Sequence, residues 1–317
     1  MVTLKNISKC ICGNYDFDEG IYGFNHKGIN FSFKRCKKCK KFLLDPRPKK
    51  EEFGSCFSED YFGKKEGSKF VGLGERFIDY FRSKRARSAM KMVKPCGSIL
   101  DFGCGSGQFL AKLSNYGYNC YGTELSAETA KRAMKIKGIK LHFGDITEKT
   151  YSDRMFDLAS IWHVLDHLYN PDEIISHIGK WVKPSGFLMI AVPNMNSWQA
   201  KIFKGDWFGS DPLRTFFHYD MNSIKYLLDN NGFTILNINH LSWEQNLYWI
   251  LQSILHKFGF KRNDFYELLK GNRNFEFLRD SLQIALICIF MAPAIIFTFL
   301  EALFKHGGSL EIIAKKI

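Results

Sequence analysis

From Ser98 onward the chain alternates between two hydrophobic rhythms. The runs SILDFG, NCYGTEL, KLHFGDI, FDLASIWHVL and GFLMIAVPN are rich in β-branched and aromatic residues and read as buried strands. Between them, GQFLAKLSNYG, SAETAKRAMKIKG and PDEIISHIGKWVKP place apolar residues three and four apart, as helices do, with Gly117 ending the first and Ser126 capping the second. MNSIKYLLDNNG and FTILNINHLSW add a helix and a sixth strand, and the alternating SLEIIAKK is the candidate seventh. This order predicts an α/β fold, a Rossmann-like, mostly parallel seven-stranded sheet with helices on both faces.

The sixth and seventh strands are separated by an apolar stretch with no charged side chain between Asp280 and Glu301. At 1.5 Å per residue a straight helix there would match a hydrocarbon core of about 30 Å. A strand cannot pair with its sheet across a bilayer, however, and SLEIIAKK follows a Gly307-Gly308 turn as if to rejoin it. Pro293 removes a helix hydrogen bond. The expectation is therefore monotopic: two short arms around Pro293, or a kinked helix lying in the interface, with Trp and Tyr of NLYWILQSILHKFGF at headgroup depth. A soluble apolar pair packed on the core or on a second subunit is the alternative.

Ahead of the alternating region, residues 1–60 are rich in Lys, Gly and Cys, and residues 61–97 form a basic helical connector, ERFIDYFRSKRARSAMKMVKP, stopped by Pro95. The remaining divisions are a core over 98–244, an apolar insertion over 245–306 and a final strand over 307–317. A net charge of +13 points to an anionic partner: nucleic acid, acidic lipid or a phosphorylated substrate. The first residues lack the apolar core of a secretory signal, so a cytoplasmic setting with reduced thiols is expected. The sequence fixes no oligomeric state.

ILDFGCGSGQFL carries the most chemistry. Glycines at 103, 105 and 107 lie between a buried strand and a helix start, where backbone N–H groups can face a ligand. A dinucleotide fingerprint would need its third glycine at 108, which is Gln108. With Asp101 two residues before the first glycine, the stretch instead resembles motif I of the class I S-adenosylmethionine-dependent methyltransferases. The resemblance implies that the seventh strand runs antiparallel, inserted between the fifth and sixth, and that Asp101, Gly103, Cys104, Gly105 and Gly107 hold the donor. It implies further that Glu124, followed by Leu125, accepts the ribose hydroxyls, and that Asp145, followed by Ile146, accepts the adenine amino group. WHVLDHLYNP, with His163, would line the cofactor and acceptor sites.

Methyl transfer is an in-line displacement, so the protein must align donor and nucleophile and, for a hydroxyl acceptor, take a proton. His163, Asp166, His167 and His218 are the nearby candidates, with His167 or His218 as base. His163 and His167, four apart, could share a helix face, but two histidines without a third ligand do not make a metal site.

Cys10 and Cys12, then Cys36 and Cys39, form two short knuckles separated by a β-like stretch, as a four-cysteine zinc ribbon requires. The first has one intervening residue where two are usual, and four ordinary reduced thiols are the alternative. Cys56, Cys96, Cys104, Cys120 and Cys288 stand singly and read as packing residues. With this module leading into KFLLDPRP, a methyltransferase core, GDWFGSDPLRTFFHYDMNSIKYLLDNNGF and SWEQNLYWILQSIL, the chain resembles a bacterial group related to the ubiquinone-pathway O-methyltransferases. Asp166 stands where glutamate is commoner in that group. The resemblance implies O- or C-methylation of a small or lipid-linked acceptor in polysaccharide, quinone or lipid biosynthesis at an acidic membrane surface. The rivals are an RNA methyltransferase binding phosphates through KRCKKCKK and RSKRAR, and a membrane-docked binding protein without turnover. The intact donor residues argue against the second rival and the apolar segment against the first.

Overall fold

The structure is a computed structural model that describes residues 3–18, 20–26, 28–49, 73–144, 151–211, 214–269 and 273–317. Asp145, Ile146, Cys56 and most of the expected boundary between module and connector fall outside the described residues.

The N-terminal part is antiparallel. β1 (Leu4–Lys5) pairs with β5 (Arg47–Pro48), while β2 (Ile21–His26), β3 (Ile29–Arg35) and β4 (Phe42–Asp45) form a second sheet. Period-two alternation in β3 buries Phe31 and Phe33 on one face. This sheet is completed from a distance, because β11 (Phe217–His218) pairs antiparallel with β4. Ion pairs reinforce the joint: Arg35 reaches Asp220 at 2.7 Å, and the fully buried Lys41 pairs with Asp172. The apolar core is continuous across it, with Cys36, Cys39 and Leu43 clustered with Phe216, Phe217 and Leu227.

The basic connector is a long helix, α1 (Leu73–Met92), ending three residues before Pro95. The expected alternation follows: β6 (Ser98–Phe102), α2 (Gln108–Ser114), β7 (Asn119–Glu124), α3 (Ala127–Met134), β8 (Ile139–Phe143), β9 (Phe156–Trp162), α4 (Pro171–Trp181) and β10 (Val182–Pro193). After the short α5 (Trp198–Phe203) come α6 (Met221–Asp229), started by an Asp220–Ser223 capping box, and β12 (Phe233–Asn239). The chain closes with α7 (Asn246–Lys257), α8 (Asp264–Leu269), α9 (Phe277–Leu303) and β13 (Ser309–Lys316).

The large sheet has the order β12-β13-β10-β9-β6-β7-β8. β6 through β10 run parallel, and β13 lies antiparallel between β10 and β12, with Ile190 opposite Ile312. The central strands bury Ile99, Leu100, Leu158, Ala159 and Ile161 completely, as a sheet covered on both faces requires.

Helix α9 corrects one expectation. It is a single 27-residue helix with Pro293 inside, not two arms. Keeping the helix forfeits one bond to the Ile289 carbonyl, whereas breaking it would leave several backbone groups to satisfy on an apolar surface. Its middle packs on α7 through Ile250, Leu251, Ile287, Met291 and Ala294. Its N-terminal end is clamped by Arg273, which bonds Asp280 at 2.6 Å and Asp264 at 2.9 Å. Its other end is held by buried Glu301, which accepts from Gln199 Nε2 at 2.6 Å and from the Gly308 N–H at 3.3 Å. Both ends and the middle therefore belong to one body.

Candidate active site and thiol cluster

The loop after β6 explains its glycines one at a time. Gly103 has φ +69° and a Cβ there would lie 2.6 Å from Val164; at Gly107, with φ +75°, a Cβ would come within 3.3 Å of Ala133, Ile136 and Ile139. Gly105 differs. At φ +57° its missing Cβ would meet nothing nearer than Thr129 at 4.0 Å, so the backbone there borders open space that a ligand can occupy.

Two carboxylates frame this loop. Asp101 is buried at the end of β6 and accepts from the Ser160 hydroxyl; burial raises its pKa to about 6 against the lowering effects of that bond and of Arg85. Glu124 ends β7 and accepts from the Gly105 N–H at 2.9 Å and the Ser126 N–H at 2.8 Å. Burial pushes its pKa up while those backbone donors hold it down. Each oxygen keeps a lone pair for a further donor, which is what accepting two vicinal hydroxyls needs.

Asp101, Gly103, Cys104, Gly105, Glu124, Leu125 and His163 all line one cavity of about 1350 Å³, which also takes in His167. Gly107 and His218 are not in its wall. His218 is fully buried in β11, 3.2 Å from the Ser210 carbonyl and edge-on to the Phe33 ring, and burial lowers its pKa to about 3. A strand position in the joint between the sheets thus makes it a core histidine.

His163 and His167 do not share a helix face. His163 turns at φ +52° and Leu165–His167 is a single 3-10 turn. Burial first, then Arg85 and His167, lowers the His163 pKa to about 3. His167 Nδ1 lies 2.9 Å from the Arg214 carbonyl, so that nitrogen carries the proton and Nε2 offers its lone pair. Nε2 lies 3.6 Å from Asp166 Oδ2, and the other Asp166 oxygen is buried without a partner.

Several wall residues escaped the reading of the sequence. Arg85, inside the run RSKRAR, is 11% exposed, lies 3.8 Å above the Trp162 ring and pairs with Glu244 at 3.3 Å. Ala86 and Ala89, buried on the same helix, give the periodic signal that this side of α1 faces inward. Arg214 and Thr215 reach the wall from the loop before β11; Leu247, Tyr248 and Trp249 reach it from α7.

Away from the cavity, Cys10, Cys12, Cys36 and Cys39 bring their sulfurs within 4.8 Å of one another. Cys10 and Cys39 are 3.5 Å apart, Cys12 and Cys36 3.6 Å. A tetrahedron with bonds of ~2.3 Å has edges of about 3.8 Å, so the spacing suits four thiolates around one ion. The hydrogen bond from Cys10 holds the Cys39 thiol down at about 5, and the same contact pushes Cys10 up.

A family model described as a methyltransferase domain matches residues 41–238, more than half of the chain. The chain belongs to this methyltransferase family. Among curated proteins, the ubiquinone biosynthesis O-methyltransferase of Rickettsia conorii is 31% identical over 100 residues, 30% of this chain and 35% of that protein. The phosphoethanolamine N-methyltransferase 1 of Zea mays is 27% identical over 187 residues, 55% of this chain and 35% of that protein. The methyltransferase chain thus spans about a third of the length of these two relatives. Among solved structures, a SAM-dependent methyltransferase from Archaeoglobus fulgidus aligns with a TM-score of 0.49 at 20% identity, covering 77% of this chain and 98% of that one.

Proposed function

We propose that the protein transfers a methyl group from S-adenosylmethionine to a hydroxyl-bearing acceptor at a membrane surface, with His167 as base. The observation that carries this reading is that the glycine loop, Glu124 and His167 line the same cavity. The acceptor oxygen attacks the methyl carbon, the carbon–sulfur bond breaks, the sulfonium becomes a neutral thioether, and the hydroxyl proton passes to His167 Nε2. Asp166, 3.6 Å away, stabilises the imidazolium that forms.

The membrane setting is supported by α9, which leaves Ile289, Ile296, Phe299 and Leu303 exposed, and by the net charge of +13. The runs proposed for nucleic acid are partly used internally: Lys34 pairs with Asp45, Arg35 with Asp220, Lys37 with Asp16 and Lys41 with Asp172. The four thiols are read as a structural zinc site in which four sulfurs complete the coordination shell and leave no position for catalysis. One zinc per chain in protein purified without a histidine tag is the expected result, and four freely titratable thiols would remove the site.

The deciding experiment incubates protein and methyl-labelled S-adenosylmethionine with membrane lipids, soluble metabolites and RNA in parallel. Label in the lipid fraction, lost in His167→Ala, supports the reading. Label in RNA alone overturns it.

A further inference from the structure

We propose that the end of the cavity beneath α7 and α9 holds the hydrocarbon chain of an amphiphilic acceptor, a lipid whose polar head reaches His167. This rests on the methyl-transfer reading above and names its substrate class.

The first observation is size. A site for one small ligand occupies roughly 300–1,000 Å³, and this cavity holds about 1350 Å³. There is room for the donor and for a second molecule beside it.

The second is the make-up of the wall. Around the glycine loop and His167 it offers carboxylates, backbone N–H groups and an imidazole, and from the segments around α7, α8 and α9 it gains the apolar Phe208, Leu247, Leu251, Leu269 and Met291 beside Tyr248 and Glu267. A small polar acceptor would leave those side chains against water, whereas a hydrocarbon chain covers them at about 25 cal/mol per Å² of apolar surface removed from water.

The third is the helix behind that wall. Leu247, Leu251 and Met291 belong at once to the cavity lining and to the apolar cluster joining α7 to α9. Helix α9 is arranged inside out: Asp280, Gln283, Thr298 and Glu301 are fully buried, while Leu282, Ile289, Ile295, Ile296 and Phe299 are exposed. A helix on a water-facing surface shows the reverse pattern. Helix α9 thus places Met291 in the cavity wall and an apolar surface toward the outside, so a lipid lying against that surface is close to the wall its chain would occupy.

The test uses the full chain and two fluorescent probes, dansyl-undecanoic acid and dansylglycine, read by energy transfer from Trp243 and Trp249, which line the cavity. The undecanoyl probe should bind saturably and the glycine probe weakly. Met291→Trp should weaken the long probe by about tenfold through overpacking, while Met291→Leu retains it. Ile296→Asn, on the exposed face, should leave it unchanged. Equal binding of the two probes, or equal loss in Ile296→Asn and Met291→Trp, would overturn the proposal. Calorimetry with S-adenosylhomocysteine on the same proteins separates the two readings. Absence of that binding in the unmodified chain defeats methyl transfer, while its retention in Met291→Trp shows that an altered probe affinity belongs to the chain pocket.

Discussion

The two ends of the cavity are built in opposite ways. The proposed donor site is largely backbone: Gly103 and Gly105, the start of α2 and two carboxylates at strand ends, all within Asp101 to Ser126. The proposed acceptor site is side chains drawn from α1, the 3-10 turn, the loop before β11, α7 and α9. A site made of backbone tolerates little substitution and binds the same ligand whatever surrounds it; a site made of side chains from distant segments sets what is methylated.

The sharpest way to separate the ends is His167→Ala. Removing a positioned base should cost about 10²–10⁴ in kcat while S-adenosylhomocysteine affinity, measured by calorimetry, stays as it was. Equal loss in both would mean that the turn holding His167 also shapes the donor site. Next in size, Glu124→Ala should weaken donor binding by about 1.5–3 kcal/mol, the range for a hydrogen bond to a charged group, and leave the undecanoyl probe unaffected.

A third effect, read on stability rather than on binding or turnover, concerns the scaffold of the proposed acceptor site. Burial raises the Glu301 pKa from 4.5 to about 8, against its bonds from Gln199 and Gly308. The folded state therefore binds the proton more tightly than the unfolded chain, and the stability from that proton is complete below pH 4.5 and lost as pH rises through about 8. Glu301→Gln keeps a neutral group in place, so its denaturation midpoint should gain on that of the unmodified protein between pH 5 and pH 8, by a few kcal/mol at most at about 1.4 kcal/mol per pH unit. Parallel midpoints across that range would show that Glu301 reaches water.

The same contrast governs what the sequence revealed. Strands and helices were legible because each follows from local periodicity, while the antiparallel insertion of β13 came from the resemblance to the class I methyltransferases. Asp101, Gly103 and Gly105 share a cavity wall because neighbouring residues build that loop, and Glu124 joins them from the end of the adjacent strand β7. His218 misled because a histidine near a candidate site in sequence is silent about which side of a strand it takes, and the β11–β4 pairing buries it. Arg85 was hidden in a run that reads as solvated charge; only its ring partner Trp162, far along the chain, shows why it turns inward. Pro293 suggested a break because a proline is read against its own helix, while the packing of α7 that keeps α9 whole lies in another segment.

The joint between β4 and β11 also orders events in time. Leu43 faces Phe217 across that joint, and Ile190 waits for Ile312 in the large sheet. Contacts so far apart in the chain close late, because loop entropy must be overcome before they form. During synthesis β2, β3 and β4 emerge early and stand with one edge open until residue 217 follows, and the main sheet lacks an inner strand until residue 309 onward is made. The apolar α9 leaves the ribosome just before that strand, so a membrane close at hand would receive it while the sheet is still incomplete.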